Sequence, residues 1–175
     1  MSDIIIHPLG LNSATVDALA ALIVETVAGG GSVSFMHPFA MGDARTFWRG
    51  SLAAADKGRR VVLGAFEGGM LVGTLTLLLD CPPNQPHRAE FAKMMTRPSH
   101  RGRGIATALI GAAEQVALAK GRQLIVLDTA SDGGAGPLYE RCGFRLAGEI
   151  PNYALKPHGG YTGTLYYYKE LAQVS

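Results

Sequence analysis

The residues best suited to chemistry sit in one short stretch. Arg97-Pro98-Ser99-His100-Arg101-Gly102-Arg103-Gly104 is basic and glycine-rich, and it runs into Ile105-Ala106-Thr107-Ala108-Leu109-Ile110, the start of an amphipathic helix. The first turn of a helix has amide N–H groups without partners, and its dipole leaves partial positive charge there. Gly102 and Gly104 let a diphosphate approach the backbone closely, while Arg101 and Arg103 add full charges. This is a site for a polyanion, and three phosphate-cradling patterns compete for it. The P-loop fails, because no Gly-Lys pair is followed by Ser or Thr at the required spacing. The dinucleotide fingerprint begins correctly at Gly102-Arg103-Gly104 but ends on Thr107, where close helix–strand packing wants glycine. Asp128 lies within the loose window for a ribose-binding acid, so a nicotinamide-dependent enzyme stays open. The third pattern is arginine or glutamine, two residues, glycine, one residue, then glycine or alanine. Arg101, Gly104 and Ala106 meet it.

The elements that must position this stretch follow from periodicity and turn residues. Residues 3–7 read as a short strand, and residues 13–28 as a helix with Val16, Leu19, Leu22, Ile23 and Val27 on one face. Gly29, Gly30 and Gly31 end that helix, and Asp43 is the expected N-cap of a second one carrying Phe47, Trp48 and Leu52. Residues 60–66 and 70–79 make a hairpin around Glu67-Gly68-Gly69. Residues 87–97 form the fourth strand, ended by Pro98, and the motif helix stops at Lys120-Gly121. The apolar run 123–127 predicts a fifth strand buried on both faces, which completes a right-handed βαβ crossover. Pro137 opens a short helix ending at Arg141. Residues 144–150 and 162–169 are the last strands. Their separation predicts a projecting loop that holds Pro151, Tyr153, Pro157, Gly159 and Gly160. The coherent solution is one α/β domain over residues 1–175, with a mixed sheet of about seven strands and flanking helices.

Composition narrows the function. With 47% hydrophobic and 17% charged residues, a chain of 175 residues can build a real core. No apolar run approaches the roughly 18 to 20 residues needed to cross a membrane, and Met1-Ser2-Asp3 leads into only three apolar residues, unlike a secretory leader. Cys81 and Cys142 are far apart, which fits a reduced, cytoplasmic protein. A net charge of +2 argues against nucleic acid as partner, because basic residues gather only locally, at Arg97, His100, Arg101 and Arg103 with Arg88 and Lys93 upstream. His7, His37, His87, His100 and His158 are scattered without ligand spacing, so no metal is expected.

The third pattern, together with its setting, resembles the acyl-CoA signature of the GCN5-related N-acetyltransferase (GNAT) family. A strand precedes it and a helix and parallel strand follow it; then comes Leu138-Tyr139-Glu140-Arg141-Cys142-Gly143-Phe144, as in that family. The similarity covers roughly residues 60–168. Within the family, Glu25-Thr26-Val27, Gly29-Gly30, Ser32-Val33, Phe35-Met36, Arg88-Ala89-Glu90 and Leu127-Asp128-Thr129 resemble tabtoxin-resistance acetyltransferases.

The resemblance implies an enzyme that moves an acetyl group from acetyl-CoA to an amine of a small molecule in a ternary complex. A β-lactam amino-acid toxin is one acceptor it suggests. It implies that the fourth and fifth strands part at their centre, often with a bulge on the fourth. Backbone groups of Met94, Met95 and Thr96 would then hold the pantetheine arm, and one amide near Met94 the thioester oxygen. The phosphates would rest on amides of Arg101, Gly102, Arg103, Gly104, Ile105 and Ala106; whether the Arg101 side chain also grips them stays open. Asp132 stands where many members carry an asparagine that contacts the donor. Glu90 is the first candidate base and Asp128 the second, against the simpler readings of an ion pair with Arg88 for the one and a helix N-cap or loop hydrogen bond for the other. Tyr139 is the candidate acid for the departing thiolate, against a ring that only packs. Cys142 has no histidine base near it and reads as a structural thiol. Segments 29–39 and 153–161, with Phe35, Met36, Phe39 and Tyr153, would surround the acceptor. The competing reading is a non-catalytic acyl-CoA binding or sensing module on the same fold. No membrane partner is expected, and homodimerisation is left open.

Overall fold

Seven strands join in one mixed sheet: β1 (Ile5–Pro8), β2 (Arg60–Glu67), β3 (Met70–Leu78), β4 (Arg88–Thr96), β5 (Leu124–Ala130), β6 (Arg145–Leu155) and β7 (Tyr161–Glu170). The computed structural model describes residues 3–171; Met1 and Ser2, on which the reading of the leader rests, and the last residues of the expected domain lie outside them. The spatial order is β1-β2-β3-β4-β5-β7-β6. β4 and β5 run parallel, as the βαβ reading requires, and the other neighbours are antiparallel. No described helix is long and apolar enough to cross a membrane.

Strand alternation sends successive side chains to opposite faces, and each face has its own helices. On one face lie α1 (Ser13–Ala28) and α2 (Met41–Asp56). Asn12 caps α1 by accepting from the Thr15 N–H at 2.8 Å. Leu19, Leu22 and Ile23 of α1 pack with Trp48 and Leu52 of α2 over Val62, Leu71 and Met95. The other face carries α3 (Ile105–Ala119) and α4 (Gly136–Arg141), where Ile105, Leu109 and Ala113 pack on Leu63, Leu75, Phe91, Ile125 and Leu127. Each fully buried leucine or isoleucine contributes about 1.5–3 kcal/mol, so both helical layers are firmly anchored.

Three expectations need correction. α2 starts at Met41 with Ala40 as its N-cap and no capping side chain; Asp43 sits inside the first turn, where a carboxylate meets the helix dipole instead. β5 reaches Ala130, and its buried residues are Ile125 and Leu127 alone, while Asp128 is exposed. One face of β5 is covered by helices and the other opens onto a cavity. β6 extends through Pro151 to Leu155, so the projecting loop is strand, and a loop at 156–160 closes the hairpin with Lys156 N–H donating to Gly160 C=O at 2.8 Å. Pro151 fits because β6 is the outer strand, and a register shift between Ile150 and Ala154, with Asn152 at φ +52°, absorbs the irregularity.

Candidate functional site

The site begins where β4 leaves β5. Their ladder pairs Arg88 with Leu124, Ala89 with Ile125 and Glu90 with Val126, and it stops there. Against β3, β4 carries a bulge: Thr76 pairs with Ala92 and Thr74 with Met95, so three steps on β4 oppose two on β3. Lys93 sits in the bulge at φ +52°, a conformation uncommon outside glycine. The extra residue flips the alternation. Ala89 and Phe91 point into the α3-side core before it, whereas Met95 joins the α1-side core after it.

Two cavities meet in the resulting gap. One, of about 540 Å³, runs along the motif; Met94, Met95, Thr96, Arg101, Ala106 and Asp132 all line it. Gly102, Arg103, Gly104 and Ile105 do not. Gly104 N-caps α3 at φ +79°, and no side chain caps that end, so the first amides of α3 have no capping partner. Gly102 is also left-handed, at φ +74°, so the loop needs glycines for conformation; a Cβ at either would meet nothing. The Arg103 guanidinium is a bidentate partner of Glu67, which also accepts from His100 at 3.1 Å. The hydrogen bond from Arg103 holds the Glu67 carboxyl below its usual range. The Arg103 side chain therefore braces the loop on β2. The Asp132 carboxylate accepts from Thr162 Oγ1 at 2.7 Å and from Lys156 Nζ at 3.2 Å, which hold its pKa low.

The second cavity, of about 580 Å³, contains both candidate bases, Glu90 and Asp128. Glu90 Oε2 accepts from Arg88 Nη1 at 3.3 Å, so the ion pair offered as the simpler reading is present. Asp128 caps no helix; its Oδ2 accepts from Thr164 Oγ1 at 2.8 Å. Register places Asp128 opposite Tyr166 and Glu90 beside Val126, so both carboxylates occupy one sheet face. Segment 32–36 and residues 153–155 form further walls. The two loops are clasped over the site: His37 N–H donates to Pro157 C=O at 2.9 Å, and His158 Nε2 bonds Ala28 C=O at 2.9 Å.

Tyr139 lines both cavities, as do Met94, Thr129 and Ala130. The residue is 6% exposed, and its ring packs 5.8 Å from the rings of Phe144 and Tyr167. Its hydroxyl has no hydrogen-bond partner among the described residues, and burial, with the Asp128 charge second, pushes its pKa well up. It therefore stays protonated at physiological pH. Cys142 is a free, half-buried thiol.

A family model described as the acetyltransferase (GNAT) family matches residues 31–144, well over half of the chain. The chain belongs to the GNAT family. A rat protein, N-acetyltransferase 8, is 36% identical over 87 residues, which are 49% of this chain and 39% of that protein; the chain thus spans about two fifths of that relative. Among solved structures, an N-acetyltransferase from Staphylococcus aureus Mu50 superposes with a TM-score of 0.81 at 20% identity, covering 98% of this chain and 100% of the other. An aminoglycoside 6'-N-acetyltransferase complexed with coenzyme A superposes at 0.74 and 17% identity, covering 96% and 97%. At such identities these structures attest the fold.

Sequence reasoning passed over two features of this GNAT site. Lys93 was seen only as one of several basic residues, yet it lines the second cavity. Its Nζ donates to Ser34 Oγ at 3.0 Å and lies 5.7 and 5.8 Å from the ring centroids of Phe35 and Phe47. The brace from Glu67 to Arg103 and His100 was missed too. Its only local signal is that Glu67 begins the β2–β3 turn, since the partners lie 36 and 33 residues away.

Proposed function

We propose that this protein transfers an acetyl group from acetyl-CoA to the amine of a small acceptor by direct attack in a ternary complex. The observation that carries the reading is the pair of cavities joined at Met94 and Tyr139, one along the polyanion motif and one holding two carboxylates. A donor-binding module would need only the first of these.

The chemistry divides among the residues as follows. Uncapped amides at the start of α3 hold the donor phosphates, and Arg101 adds charge at the same wall. The β4 backbone beyond Glu90, released from β5, pairs with the pantetheine arm. An amide near Met94 stabilises the oxyanion, a role that in other enzymes is worth roughly 3 kcal/mol. Asp128 takes the proton from the ammonium. Thr164 orients it from one side, and the residues after it, Thr129 and Ala130, line both cavities, so it stands nearest their junction. Glu90, which like Asp128 lines the acceptor cavity but is tied to Arg88, draws the ammonium in; this reverses the order in which the sequence ranks the two. The nitrogen attacks the thioester carbon, the C–S bond breaks, Tyr139 protonates the leaving sulfur, and the surplus proton of the new C–N nitrogen restores the tyrosine hydroxyl.

The test is thiol release from acetyl-CoA with amino acids, polyamines, aminoglycosides and tabtoxinine-β-lactam as acceptors. Amine-dependent release with one class is expected. Thermal protection by acetyl-CoA without release for any class would overturn the transferase reading in favour of the binding module.

A further inference from the structure

Lys93 is a cation in an unusual position. It occupies the β4 bulge in a left-handed conformation, and the bulge turns its side chain into the acceptor cavity. The ammonium lies near the rings of Phe35 and Phe47. Burial lowers its pKa, and the charges of Asp128 and Glu90 oppose that shift, yet neither carboxylate forms an ion pair with it among the described residues. An ammonium has three donors, and the protein takes one of them, through Ser34. A half-buried cation without an anion beside it is costly unless a ligand supplies the anion.

The same cavity therefore has two poles. Glu90 and Asp128 form the anionic pole on the sheet, and Lys93 with Ser34 forms the cationic pole, with Phe35, Met36 and Tyr153 among the walls. A volume of about 580 Å³ suits a small molecule. We infer that the acceptor is a zwitterion of the amino-acid type, whose carboxylate is held by Lys93 Nζ and Ser34 Oγ while its amine faces Asp128. The inference rests on the transferase reading of this cavity and adds the class of substrate. Lys93 is then a specificity-determining residue: it selects the carboxylate and takes no part in the bond changes.

The test is calorimetry on the CoA-saturated protein with a panel of free amino acids and the matching primary amides. Free acids should bind about 10- to 150-fold more tightly than amides, the usual range for a hydrogen bond to a charged group. Lys93→Met should erase that preference while leaving the affinities for amides and CoA unchanged, which a merely structural lysine would not do. Lys93→Arg should keep part of it. Equal binding of acids and amides, a preference that survives Lys93→Met, or failure of every free acid to bind would each overturn the inference. Thiol release separates this from the parent reading. Turnover that ignores the carboxylate removes the anchor and keeps the transferase. Lys93-dependent binding without turnover keeps the anchor and removes the transferase.

Discussion

Replacing Tyr139 with phenylalanine isolates the proposed acid from its packing. The residue is 6% exposed, and the neighbouring rings of Phe144 and Tyr167 at 5.8 Å meet the same ring carbons in the variant. The hydroxyl bonds to no described protein group, so no intramolecular hydrogen bond worth about 1 kcal/mol disappears. In a domain of this size even that loss would move Tm by only about 2–4 °C. General acids contribute roughly 10²- to 10⁴-fold. A leaving thiol with a pKa near 8.5 departs tolerably as thiolate, which places Tyr139→Phe near the lower end, about 10²-fold in kcat or roughly 2.7 kcal/mol. Steady-state thiol release across pH, with Tm measured in parallel, is the assay. Burial keeps the hydroxyl protonated well above its ordinary range, so the deficit should stay constant to pH 9 or so. A kcat within about twofold of the parent, or a defect confined to the KM for acetyl-CoA, refutes the acid role.

Three further outcomes test the rest of the site. Asp128→Asn should lower kcat by about 10²- to 10⁴-fold with donor affinity intact, and Glu90→Gln should act mainly on the acceptor KM; the opposite pattern in the same release assay exchanges their roles. A Cβ at Gly73 would meet Ile105 Cγ2 and the Met95 carbonyl oxygen at 3.0 Å, so Gly73→Ala should cost about 1–3 kcal/mol and weaken CoA binding by displacing the first turn of α3. Unchanged melting with and without CoA would contradict that. The Glu67 pKa is depressed in the fold, so its stabilisation is present above the unfolded carboxylate value and is lost as pH falls through the folded one. Glu67→Gln should therefore lower Tm at neutral pH, with the gap closing in acid below about pH 4; a gap independent of pH would argue that the brace is not electrostatic.

What was legible in the sequence was local. Gly102 and Gly104 before a 3.6-period apolar face announced a left-handed turn opening α3, and Lys120-Gly121 announced its stop. The Arg88–Glu90 pair followed from two-residue spacing on a strand. What was hidden depended on distant partners. Pro151 and Asn152 read as loop because nothing nearby tells that β6 is an edge strand, where a proline does no harm. The resemblance pointed to a bulge on the fourth strand, but no residue pattern placed it at Lys93, since it is defined by a register with β3 some twenty residues earlier. Without it, simple alternation assigns Lys93 to the face of Ala89 and Phe91, the α3-side core, and its place in the acceptor cavity cannot be read.

That single inserted residue links the fold to the chemistry. β4 must remain paired with β3 through Thr96 to keep both cores closed, yet it must leave β5 after Glu90 to expose backbone. In a regular sheet β4 and β5 would stay side by side beyond Glu90. A bulge adds local twist and turns the second half of β4 out of the plane it shared with β5. The same insertion exchanges the faces, so Met95 seals the α1-side core while Met94 borders both cavities. It also leaves the bulged residue itself without a slot in the ladder, and Lys93 uses that freedom to bring charge into the acceptor cavity. The proposed donor gap, oxyanion amide and acceptor selection thus depend on one irregularity. Deleting one residue of the bulge therefore acts on three functions together, whereas side-chain changes at Lys93, Asp128 or Tyr139 act on one.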